Sequence, residues 1–107
     1  MKTYKVVLTP RAQASLRRIT NYLQETASKE VATKVRKGIL EAVKSLKALP
    51  NSHQAIDTTG ITQTVYRRII QWDYKIIFTV REEKVEVVVF EIYHSAQDPE
   101  RLKNILK

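Results

Sequence analysis

The chain has 107 residues, 43% of them apolar and 28% charged, no cysteine and a net charge of +8. That is enough for one small folded domain with a thin core, and too much apolar content for a disordered chain. No apolar run is long enough for a membrane span or a signal peptide, and there is no thiol for a disulfide, so a cytoplasmic protein without a membrane partner is expected. The charge is one-sided. Residues 1–50 hold eleven Lys and Arg against three Glu, while residues 51–107 hold eight of each sign. Such a field attracts polyanions, either nucleic acid or acidic protein; its plainer reading is a solvated helix face that keeps the protein soluble.

In chain order, "TYKVVL" (3–8) alternates as a short strand, with Tyr4, Val6 and Leu8 on one face. Thr9-Pro10 then starts a helix, because Thr can cap it and Pro fits the first helical position. Ala12, Leu16, Ile19 and Leu23 form its apolar stripe. "TASKE" (26–30) is a turn, and Ser28 is the next cap. Val31, Val35, Ile39, Ala42, Val43, Leu46 and Leu49 predict a second helix that Pro50 ends. Gly38 lies inside it, where it could allow close contact with the first helix. The short connection makes the two helices an antiparallel hairpin.

"NSHQAIDTTGIT" (51–62) is a polar loop without period, and His53 is expected on its surface. Three strands follow: "QTVYRRII" (63–70), "DYKIIFTV" (73–80) and "VEVVVFEIYH" (85–94), the last apolar on both faces as in a central strand. The short turns between them predict antiparallel pairing. After Asp98-Pro99, "ERLKNILK" is expected to make one or two helical turns. The reading is a single α+β domain over residues 1–107, β-α-α-β-β-β, with a helical hairpin packed on a mainly antiparallel sheet of about four strands.

There is no Gly-rich phosphate loop, no HExxH and no cysteine cluster, so neither a metal nor a cofactor is expected. What remains is a set of polar groups on strands. Arg67 and Lys75 fall on neighbouring strands, nearly opposite or one diagonal apart, and His94 ends the third. Basic groups there could hold a phosphate while His94 moves a proton, the minimal equipment for cutting RNA without a metal. The competing reading makes the arginines solvent-facing and His94 a partner for a backbone group at the strand end. Arg67, Arg68, Lys75 and Arg81 are the strand cations that would touch nucleic acid.

The opening "YKVVLTPRAQASLRRITNYL", the helix end "LKALP" and the stretch "VYRRIIQWDYKIIFTVREEKVEVVVFEIYHSAQDPERL" together resemble the RelE/ParE toxins of bacterial type II toxin–antitoxin modules, over nearly the full chain. The resemblance implies the same fold, a plasmid-stabilisation type of toxin and a cognate antitoxin that is acidic where it wraps the toxin. It also implies one of two targets: DNA gyrase, bound by ParE-like members, or ribosome-bound mRNA, cut by RelE-like endoribonucleases. Carried over, Arg67 and Lys75 match basic strand positions and His94 a terminal-strand histidine that some members share. A degenerate, non-toxic antitoxin-binding module is the third possibility. Lys75 stands where Arg is usual, which removes the planar fork that clamps a phosphate. Ser95 and Gln97 stand where nuclease members carry Tyr and Arg, and the long hairpin resembles the ParE branch. The resemblance therefore leans to a gyrase inhibitor that works by binding.

Overall fold

A computed structural model describes residues 2–96, so the helical tail expected after Asp98-Pro99 lies outside the described residues. Strand β1 (Lys5–Leu8) leads into helix α1 (Pro10–Thr26) and helix α2 (Lys29–Ser45), then strands β2 (Arg67–Gln71), β3 (Tyr74–Arg81) and β4 (Glu86–His94). Both helix starts are capped as their sequences require. The hydroxyl of Thr9 accepts from the Ala12 amide and that of Ser28 from the Val31 amide, each at 3.1 Å. The helices form the expected hairpin. No helix among the described residues is long and apolar enough to cross a membrane.

The sheet order is β1-β4-β3-β2. The three C-terminal strands pair antiparallel, and β1 pairs parallel with β4, which makes the sheet mixed and β4 central. Both helices pack on one face. Ala12, Leu16, Ile39, Val43 and Leu46 meet Ile76, Phe78, Val87, Val89 and Ile92 in the main core. Alternation sends Arg68, Lys75, Ile77 and Tyr93 to the opposite face, on which no helix of the described residues packs. Beyond β1's last partner, Val89, β4 changes phase. Phe78 pairs with Val89 and Ile77 with Glu91, so Phe90 is an extra, bulged residue. The bulge is why Val87 and Val89 face the helices before it and Ile92 and His94 after it.

Several local expectations are corrected. Helix α2 stops at Ser45, not Leu49; Leu49 has φ 51° and is 67% exposed, and Val31 is also exposed. The strand expected from residue 63 begins at Arg67, and residues 54–56 lie along its outer edge. There Ala55 bridges Arg67, the Ile56 amide donates to the Tyr66 carbonyl at 2.8 Å, and the Arg68 amide donates to the Gln54 carbonyl at 3.1 Å. A loop that reads as polar and aperiodic thus shields half of an edge strand. His53 is half-buried, its ring edge-on to Phe78 with centroids 5.9 Å apart. Gly38 makes room for an indole, not for the other helix: a Cβ there would lie 2.2 Å from Trp72 Cη2.

Candidate functional site

The register decides what the strand cations can do together. Arg67 pairs with Phe78 and Lys75 with Ile70, so the two are three rows apart and on opposite faces, neither opposite nor diagonal as expected. The two-residue turn Trp72–Asp73 is the cause, since it pairs Gln71 with Tyr74 and shifts every later partner. Arg67 faces the helix side, where its Nη1 donates to the His53 carbonyl at 2.8 Å. One of the donors that an anion would have taken is thus held by a loop carbonyl. His94 pairs with Tyr74, in the same row as Gln71. Arg67 lies four residues along β2 from that row, about 13 Å away at the usual strand rise. Lys75 pairs with Tyr93 and points to the other face. The three side chains named for phosphate cleavage do not meet in this structure.

The strand cations divide further. Arg68 and Lys75 are diagonal neighbours on the face opposite the helices, beside Tyr93. Burial raises the Tyr93 hydroxyl above its usual value, and the positive charge of Arg68 pulls it partly back. On the β4 side of the sheet the Arg11 guanidinium stands 5.7 Å from the Phe90 ring centroid, and Tyr66 meets Phe90 edge-on at 5.6 Å. Arg81 pairs with Glu86 at the far end of the β3–β4 hairpin, away from this cluster. Of the four cations assigned to nucleic acid, only Arg68 and Lys75 form a patch.

His94 belongs to a different place, a groove of about 600 Å³ between α1 and the exposed end of the β4 edge. Because β1 stops opposite Val89, the rest of that edge is closed by side chains. The Thr9 hydroxyl donates to the Phe90 carbonyl at 3.0 Å, and the Glu91 carboxylate accepts the Ile92 amide at 3.0 Å. The same carboxylate accepts from the Ser15 hydroxyl, and Arg18 Nη2 donates to the Ser15 oxygen at 2.9 Å. Glu91 and Ser15 are 1% and 4% exposed, so a buried acid is tied through a buried hydroxyl to a surface arginine. His94 Nδ1 accepts from the Ala96 amide at 3.0 Å, and its ring meets Tyr74 edge-on at 5.3 Å. Burial raises the Tyr74 hydroxyl. Sequence reasoning singled out His94 here and missed Ser15, Arg18 and Glu91. The one available signal was an acid inside the otherwise apolar run "VVVFEIY".

A helical hairpin packed on one face of a mainly antiparallel four-stranded sheet, with a histidine ending the last strand, is the architecture the resemblance to RelE/ParE toxins led one to expect. The ParE toxin family of type II parDE toxin–antitoxin systems matches residues 6–99, and the chain belongs to that family. A chain of the chromosomal ParDE system from P. aeruginosa superposes with TM-score 0.68 at 23% identity, covering 86% of this chain and 96% of that one. A chain of the RelBE2 complex of Mycobacterium tuberculosis gives 0.61 at 16% identity, covering 86% and 98%. The archaeal RelE–RelB complex of Pyrococcus horikoshii OT3 gives 0.59 at 15%, covering 91% and 100%. No curated protein matches the sequence significantly.

Proposed function

We propose that this toxin is held by a cognate antitoxin and, when free, inhibits bacterial growth by binding DNA gyrase, without cutting RNA. One observation carries the choice of target. Lys75 and His94 lie in adjacent rows but on opposite faces, Arg67 is four rows from His94, and Arg67 is already bonded to a loop carbonyl. General acid–base cleavage needs its groups within hydrogen-bond reach of one phosphate. The match to a ParE model and to chains of ParDE and RelBE systems supports the antitoxin partnership.

The test uses the purified chain, freed of antitoxin, in two parallel assays: gyrase supercoiling, and primer extension on mRNA in translating ribosomes. The expected result is lost supercoiling or trapped cleaved DNA with the mRNA intact. New cuts in ribosome-bound mRNA, abolished by His94→Ala or Lys75→Ala, would replace this reading with the endoribonuclease. The neighbouring cations Arg68 and Lys75 are where RNA would then be sought.

A further inference from the structure

We infer that the groove between α1 and the end of β4 receives a segment of the antitoxin that carries a carboxylate among apolar side chains, and that Arg18 is its anchor. The inference rests on the antitoxin partnership proposed above and names where and how that partner is held.

The groove's chemistry selects the occupant. Its floor and walls are apolar or aromatic, from Ile19, Ile92, Tyr22 and Tyr74. Among the described residues the charged group in its lining is Arg18, and no Asp or Glu lines it. Glu91, the acid behind the wall, is buried and its bonding is taken up by Ser15 and the Ile92 amide. His94 accepts the Ala96 amide on Nδ1, so the neutral ring carries its proton on Nε2 and offers a donor. A groove whose free polar groups are chiefly donors, above an apolar floor, complements an acid set among aliphatic or aromatic side chains. The +8 charge of residues 1–50 draws the same partner from a distance.

The buried acid acquires a purpose in this arrangement. The Ser15 hydroxyl donates its hydrogen bond to Glu91, which leaves the oxygen's lone pairs to accept from Arg18. The guanidinium is thereby held at the groove wall with donors to spare, and loses less freedom when a carboxylate arrives than a free side chain would. Glu91 and Ser15 are positioning residues; Arg18 makes the contact.

The test is titration of the full chain with its cognate antitoxin by calorimetry over a range of salt concentrations. Arg18→Glu is expected to weaken binding about thirty-fold or more and to flatten its salt dependence. Arg18→Lys should recover part of both. Ser15→Ala falls between, and because it orphans Glu91 its melting curve is checked first. Arg18 is exposed, so its variants keep the fold and carry the test on their own. Replacing the antitoxin's acids one at a time with Lys should restore binding to Arg18→Glu at one position. Wild-type affinity and salt dependence in Arg18→Glu would overturn the inference. A wild-type chain that fails to bind the antitoxin at all would overturn the partnership itself, a different result.

Discussion

Ile77 and Phe78 are neighbours in β3 and neither has any exposed surface, yet they belong to different parts of the protein. Phe78 lies under the helical hairpin, in the cluster that holds the fold together. Ile77 lies on the other face, in one row with Arg68 and Glu91 and outside that cluster. The helix-covered face admits one strand cation, Arg67, and bonds it to a loop carbonyl. The opposite face sets Arg68 and Lys75 side by side, both partly buried. Burial alone therefore does not tell to which face a residue belongs; strand register does.

The comparison can be broken most directly at Phe78. Phe78→Ala leaves a cavity under the hairpin and should cost about 3–5 kcal/mol in chemical denaturation. Lys75→Ala, three residues away on the opposite face, should stay within about 0.5 kcal/mol; a large loss there would mean that face also carries the fold. Thr9→Ala removes both the α1 cap and the bond to the Phe90 carbonyl, and should cost about 1–2 kcal/mol.

A smaller effect sharpens the role of the β2–β3 turn. Trp72 has φ 53°, an unfavourable conformation for a bulky residue, and its ring lies on Gly38. Glycine inside a helix is itself a cost of about 1 kcal/mol against alanine. Gly38→Ala should thus lower stability by about 1 kcal/mol in the wild-type chain and shift the Trp72 fluorescence as the indole is pushed out. In a Trp72→Ala background the same change should be stabilising. The same sign in both backgrounds would show that the ring moves aside at no cost.

The smallest effect concerns the other end of the sheet. Both Glu82 oxygens accept from the Tyr4 hydroxyl, at 3.0 and 2.9 Å, Asn51 donates at 2.7 Å, and Lys2 stands 3.5 Å away. The Asn51 and Tyr4 bonds hold the Glu82 carboxyl below its ordinary 4.5. The unfolded chain then binds more protons in acid. The contribution is full above about pH 4.5 and fades as pH falls through the lower folded value. Melting temperature should therefore drop on acidification in this window, and Glu82→Gln should flatten that drop.

Much of the architecture could be read from residues whose effect is local. Thr9-Pro10 and Ser28 start the helices, the spacing from Ala12 to Val43 defines their apolar stripes, and Val87 and Val89 announce a central strand. Caps and periodicity act within one turn or one pleat, so one sequence carries them. The ends of elements were less clear: Leu49 continues the helical pattern on paper, but the chain turns left-handed there. The site was the least readable. Whether Arg67, Lys75 and His94 meet depends on the two-residue turn at Trp72–Asp73 and the bulge at Phe90, and each residue added or removed flips every later side chain to the other face. Ser15 and Glu91 are 76 residues apart, and nothing local marks them as partners. The sequence by itself determined the elements, their order and the family; only the tertiary structure decided which polar groups face one another, because register and long-range contact are properties of the assembled sheet.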